Sequence, residues 1–266
     1  MPLAKSDTGV VRQSILYRIL IKTGELFNFT MHFFARFWRR PFEFRELLRQ
    51  LDEIGSKSVV LTAVTGLAIG VVLAMQSRGT LVQFGAEAMM PNMLALSVIK
   101  EIGPVITALV LAGRLGAGIG AEIGSMRVTE QIDALEVAAL KPFHYLVTTR
   151  VVACTLMFPV LTVWTDFIAL SGGFIESSLA TDMDYRIYIS TAFMSLRISD
   201  ILVDTLKTGI FGFIVGIVSC YLGYNVRGGT QEVGRAAMQS VVVSSLLILL
   251  ADVVVVRLSI FIFSSV

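Results

Sequence analysis

Two stretches of this sequence run without charge for long enough to cross a lipid bilayer. Ser58 to Ser77 gives twenty residues between Lys57 and Arg78, and Thr208 to Val226 gives nineteen between Lys207 and Arg227. A helix needs about 20 apolar residues to cross roughly 30 Å of hydrocarbon, because in lipid every backbone polar group must be paired within its own segment. Val151 to Ile175 is a third such run if Asp166 is tolerated, and Ala236 to the C-terminus is a fourth with Asp252 and Arg257 inside it. A fifth is composite: Ala88 to Ile99 and Ile102 to Gly113 are each twelve uncharged residues, separated by Lys100-Glu101. Only 16% of the chain is charged, against roughly 25% in soluble domains. The predicted fold is therefore an all-α polytopic membrane protein with spans at about 56–77, 92–115, 146–172, 199–225 and 237–263.

Basic residues set the expected orientation, since Lys and Arg favour cytoplasmic segments. With the N-terminus inside, residues 1–57 hold ten Lys/Arg, 114–150 hold four (Arg114, Arg127, Lys141, Arg150) and 227–235 hold two, while the outer side holds Arg78, Arg186 and Arg197. Sixteen against three predicts a cytoplasmic N-terminus and a C-terminus on the outer side. No compact apolar core with a small-residue cleavage site precedes the first span, so no secretory signal is expected.

The first 54 residues read as a region distinct from the span-bearing domain of 55–266. Phe27, Phe29, Phe33, Phe34, Phe37, Trp38, Phe42 and Phe44 interleave with Arg36, Arg39 and Arg40. That pattern suits an amphipathic helix in the headgroup plane, rings toward lipid and cations toward anionic headgroups; a soluble helix packed on the rest of the protein is the alternative. Pro41 is expected to end it, with a second short helix over Phe42–Ile54.

Several chemistries are excluded. The chain has two His, His32 and His144, both outside the predicted spans, and lacks G-x-S-x-G, H-E-x-x-H and the phosphate-cradling G-x-x-x-x-G-K-[ST]. No Gly precedes a Lys anywhere, so nucleotide-driven work would need a separate subunit. The chain is not expected to be an enzyme, to bind a metal or to hold a cofactor of its own. A net charge of +2 without a basic tract argues against nucleic acid. Cys154 and Cys220 lie in apolar runs and read as small fillers.

Charges inside spans are costly and mark functional candidates. Counted from Met93, Glu101 lies eight residues into span two, about 12 Å down, and counted from Ser199, Lys207 lies equally deep in span four. Asp252 and Arg257 fall 11 and 6 residues from the outer end of span five. A buried cluster of Lys100, Glu101, Lys207 and Asp252 is predicted, either as ion pairs fixing helix register or as the lining of a path for a charged headgroup. Small residues recur every four positions at Ala112, Gly116, Gly120 and Gly124, at Gly66 and Gly70, and at Gly212 and Gly216. Such faces permit close helix approach, within one chain or against a second copy.

Between spans two and three, residues 122–140 suggest a short surface helix. Thr129 is a candidate N-cap, Glu130, Asp133 and Glu136 form one side, and Ile132, Leu135 and Leu140 form the other. Its apolar side calls for the membrane surface or a groove on a cytoplasmic protein.

The segment Glu101 to Arg150, with EIGP, ALVLAGR, GAEIGSMRVTEQIDALE and PFHYLVTTR, and the run QSRGTLVQFGAE after span one, resembles the MlaE/YrbE family of permeases in lipid-trafficking ABC transporters. The resemblance covers nearly the whole chain. It implies a homodimeric permease of the bacterial inner membrane, with an ATPase that uses ATP and Mg bound to each cytoplasmic loop. An MCE-domain protein would dock outside, and a small cytoplasmic accessory subunit is a further candidate partner. Phospholipid or a related lipid would move between the inner membrane and the periplasmic side, in outer-membrane lipid asymmetry or in lipid uptake. By the same resemblance, 122–140 is the coupling helix, with Glu130, Ile132, Asp133, Leu135 and Glu136 toward the ATPase. Glu101 and Lys207 match a charged pair near the lipid cavity, and Val72, Leu73 and Gln76 are expected to line it. The rival reading is a proton-coupled secondary transporter using Glu101, Asp166 and Asp252; five spans do not divide into the equal halves that such folds favour.

Overall fold

The computed structural model describes residues 15–37, 43–138 and 141–263. Every regular element among them is helical, and five helical stretches are long and apolar enough to cross a membrane: Phe44–Gln83, Glu87–Val128, Phe143–Thr181, Ile201–Tyr224 and Thr230–Ser259. This is a multi-pass membrane protein. Three of these stretches have 40, 42 and 39 residues, about 60 Å at 1.5 Å per residue, so they extend well beyond the hydrocarbon.

Residues 1–39 form one compact unit, in which the described part is helix α1 (Ile15–Phe37). It carries Phe27, Phe29, Phe33, Phe34 and Phe37 of the aromatic run, with Phe33 and Phe34 edge to face at 5.4 Å. Pro41, the expected helix terminator, lies outside the described residues.

The second unit spans 40–266. Its first helix, α2 (Phe44–Gln83), corrects the expectation of a separate short helix ending at Ile54, and a region boundary at residue 54 falls inside it. The reason is a single buried stripe: Leu47, Gln50, Ile54, Ser58, Thr62, Gly66, Gly70 and Ala74 recur at helical spacing through the supposed break. An i,i+4 ion pair between Lys57 and Glu53 and a 2.9 Å hydrogen bond from Gln50 to Glu46 support the same turns.

Span two is one run, Glu87–Val128, built in pieces. Helices α3 (Met90–Ser97), α4 (Gly103–Leu111) and α5 (Ala117–Val128) are joined by π-helical turns at Val98–Ile102 and Ala112–Gly116. A short helix α6 (Gln131–Val137) follows, then a π-helical turn at Phe143–Thr148 leading into α7 (Thr149–Thr181), α8 (Tyr185–Ala192), α9 (Ile198–Tyr224) and α10 (Thr230–Phe263).

Helix α7 is central, packing on both α2 and α9, while α10 packs on α9 and α5. The repeated small residues make these contacts. A side chain at Gly70 would collide with the Ala169 carbonyl, and a Cβ at Gly66 would stand 2.6 Å from the Thr165 carbonyl. Gly212 lies against the Cys154 backbone and Gly216 against Val151, while Gly120 meets Ser240 of α10. These small-residue faces are thus used inside one chain. On the α8 side, Tyr188 is fully buried and donates its hydroxyl to the Leu170 carbonyl at 2.9 Å.

Candidate functional site

The π-helical turn at Val98–Ile102 sits just before Gly103-Pro104, and covalent structure explains what it exposes. Proline has no N–H, so the Lys100 carbonyl lacks its α-helical donor. Lys207 Nζ donates to that carbonyl at 2.7 Å. The same ammonium lies 3.3 Å from Glu101, 3.4 Å from Asp252 and 3.8 Å from Asp204. Its side chain is only 2% exposed, with Asp252 at 17% and Glu101 at 46%. Lys207 therefore ties span two, α9 and α10 together within the membrane-spanning part of the bundle. Of the four residues selected from sequence, Glu101, Lys207 and Asp252 meet directly, and Lys100 contributes its main chain. Asp204 joins them one turn before Lys207, a partner that depth counting did not single out. Arg257 is exposed.

Helix α7 brings a further carboxylate. Asp166 is buried, and its Oδ1 packs on Gly103 so closely that no side chain would fit there. It faces the turn that carries Lys100 and Glu101.

The candidate cavity residues do not share one surface. Val72 and Gln76, one turn apart on α2, are exposed. Leu73 instead turns inward, onto the cluster of Ala74, Met90, Leu94 and Ala169.

The segment 122–140 differs from the sequence expectation. Residues up to Val128 continue α5, and Thr129 donates its hydroxyl back to the Ser125 carbonyl at 2.8 Å, closing α5 rather than capping the next helix. Glu130 adopts the left-handed conformation, φ 58°, at the corner between them. The separate helix α6 is only Gln131–Val137, and Leu140 lies outside the described residues. Ile132 is fully buried in its own chain, so it anchors α6 and is not a free contact for a partner. Glu130, Asp133 and Glu136 are exposed, Leu135 is half-buried, and Val137 stands out at 89% exposed.

Two ion pairs run from this corner into the bundle. Arg127 donates to Asp133 at 2.6 Å, linking the end of α5 to α6. One and a half turns earlier, Glu122 receives Arg150 of α7 at 2.7 Å. Arg150 is buried within α7 and also donates to the Leu146 carbonyl, and Arg114 lies in the second π-helical turn of span two, bonded to Ser58. Both fall inside the expected spans, 92–115 and 146–172, each close to one end.

Residues 47–258 match the family described as Permease MlaE. The chain is 37% identical over 250 residues to a probable ABC transporter permease protein of Rickettsia felis, covering 94% of this chain and 96% of the relative. A similarly named protein of Rickettsia prowazekii is 40% identical over 80% of this chain and 82% of its own length. The Arabidopsis thaliana protein Trigalactosyldiacylglycerol 1, chloroplastic, is 33% identical over 82% of this chain and 63% of that protein.

Proposed function

The chain belongs to the MlaE permease family, and on that footing we propose that it is the membrane subunit of an ABC transporter that moves lipid. The observation that carries the transporter reading is α6. It is a short helix between two spans, anchored by the buried Ile132 and presenting Glu130, Asp133, Glu136 and Val137 outward. An exposed helix with one seated apolar residue and an acidic crest suits a groove on a second subunit. The chain has no phosphate-binding loop, so the ATP and Mg belong to that ATPase.

The pairs Arg127–Asp133 and Glu122–Arg150 then give the ATPase a mechanical route. A pull on α6 acts on α5, and through Arg150 on the central helix α7, which packs on both α2 and α9. Lipid as cargo is supported by the resemblance described above and by the chemistry of the span-two site. A half-exposed Glu101 beside buried Lys207 is a polar spot within a membrane span, the kind of group that an amphiphile's headgroup can meet. The plant relative's name is that of a glycolipid. In this reading two copies form the permease in a bacterial inner membrane, N-terminus inside, with an MCE-domain protein on the periplasmic side. A proton-coupled transporter using Glu101, Asp166 and Asp252 is less well supported, because two of the three, Glu101 and Asp252, are engaged by Lys207.

The test reverses the charge of α6. Glu130→Lys combined with Glu136→Lys should abolish co-purification of a P-loop ATPase from native membranes while leaving the permease folded. If the ATPase still co-purifies with the double variant, the coupling assignment fails. If none co-purifies with the wild-type protein either, the ABC reading itself fails.

A further inference from the structure

The environment of Asp166 is not explained by lipid movement. This carboxylate lies in the middle of α7 and is 7% exposed, and its Oδ1 has no hydrogen-bond partner among the described residues. An ionised carboxylate in such a place needs a matched cation or several donors, and in lipid the cost of lacking them is severe.

The surrounding charges do not supply a match. From α9 it feels Asp204 and Lys207. The π-helical turn against Gly103 carries Lys100 and Glu101, and α10 adds Asp252 beside Lys207. Helix α2 has no charge between Lys57 and Arg78, and α3 has none at all. The nearby Tyr188 of α8 has committed its hydroxyl to Leu170. Among the described residues four carboxylates thus face two ammonium groups, and the deeply buried ammonium, Lys207, is already engaged by three carboxylates and a carbonyl. The surplus negative charge falls on Asp166, which forms no ion pair among the described residues and is the most buried of the four.

The backbone beside it offers what a neutral acid would use. In the π-helical turn the Gly103 N–H goes to the Val98 carbonyl, and residue 104 is proline. Neither donor that would serve the Ile99 carbonyl in an α- or a π-turn is directed to it. That carbonyl lies in the turn on which Asp166 Oδ1 packs.

We propose that Asp166 is an intramembrane proton-binding site, carrying a proton in this conformation and offering it to the opened backbone of span two. The ligand is a single proton, taken from water and returned to it, with one O–H bond formed and broken at the carboxyl. No other bond changes. Because the acceptor exists only while the Val98–Ile102 turn is open and packed on α7, movement of span two against α7 exchanges the proton. This differs from a proton-driven transporter: the proton is bound alongside an ATP-driven movement and is not its energy source.

The experiment is infrared spectroscopy of the full-length protein in lipid nanodiscs at neutral pH, in the carboxylic acid C=O region, with and without exchange into heavy water. The wild-type protein should show a protonated-carboxyl band with a deuterium shift. That band should persist in Asp252→Asn and be lost in Asp166→Asn. Asp166→Val, which removes the polar group altogether, gives the same comparison if the asparagine variant does not fold. Absence of the band from the wild-type protein at neutral pH, or its survival in both Asp166 variants, would overturn the proposal. The readout does not depend on cargo or ATPase, so it stands or falls separately from the lipid-transport reading.

Discussion

Lys207 is reached by two carboxylates at nearly equal distance, 3.4 Å to Asp252 and 3.3 Å to Glu101. Distance therefore cannot rank the two pairs, and burial must. At this separation the attraction between unit charges is about 1 kcal/mol in water and about 5 kcal/mol at an effective dielectric of about 20, before desolvation is subtracted. Asp252 is mostly shielded and links α9 to α10, whereas nearly half of the Glu101 side chain is exposed. Double-mutant cycles with Lys207→Met, Asp252→Asn and Glu101→Gln should give a coupling of about 2 kcal/mol for Lys207–Asp252. For Lys207–Glu101 the coupling should be about 0.5 kcal/mol, in the range of exposed pairs. Lys207→Met alone should cost about 3 kcal/mol, because it strands buried carboxylates and the Lys100 carbonyl. Reversible unfolding in mixed micelles, followed by circular dichroism, measures all three. A Glu101 coupling equal to or larger than that of Asp252 would refute the burial argument, and a Lys207→Met cost below about 1 kcal/mol would refute the hub.

Two further outcomes follow from the packing. Gly70→Ala should lose about 1–3 kcal/mol, because its methyl group meets the immovable Ala169 carbonyl, while Gly79→Ala in the same helix, with nothing within 4 Å, should gain up to about 1 kcal/mol; equal effects in the same unfolding assay would contradict the close α2–α7 approach. Pro104→Ala should gain far less than the roughly 3 kcal/mol that removing a helix-interior proline can return, because the restored N–H competes with Lys207 for the Lys100 carbonyl; recovery of the full amount would show that the Lys207 hydrogen bond contributes nothing.

The sequence made the five spans legible because charge exclusion from lipid is a strong, local signal. It made the ends less legible for the same reason. Helix α2 continues past the hydrocarbon, where charge is no longer penalised, so the uncharged run alone does not show that Glu53 and span one belong to the same helix. The surface helix was recognised by its alternating acidic and apolar residues, but the pattern did not show where one helix ended and the next began. Ile123 of α5 and Ile132 of α6 are both fully buried, one in each helix. What separates α5 from α6 is the backbone of a single residue, Glu130 with φ 58°, and no side-chain periodicity encodes that.

The charged cluster shows the same division. Depth along a helix can be counted from sequence, and it pairs Glu101 with Lys207 because both lie about equally far from one membrane face. Azimuth cannot be counted that way once a helix contains π-turns, since each inserted residue rotates everything after it. Span two has two such turns, at Val98–Ile102 and Ala112–Gly116. The first swings Glu101 and the Lys100 carbonyl toward α9, with Gly103 left bare for Asp166. The second carries Arg114 to Ser58 of α2. Proline, glycine and the charged pair are adjacent in EIGP because each needs the others. The proline opens the carbonyl, the glycine admits the α7 carboxylate, and Lys207 closes the opening from the far side. A straight helix bearing the same charges would have to leave one of these polar groups facing lipid, which is why the motif is contiguous although the site it forms draws on four helices.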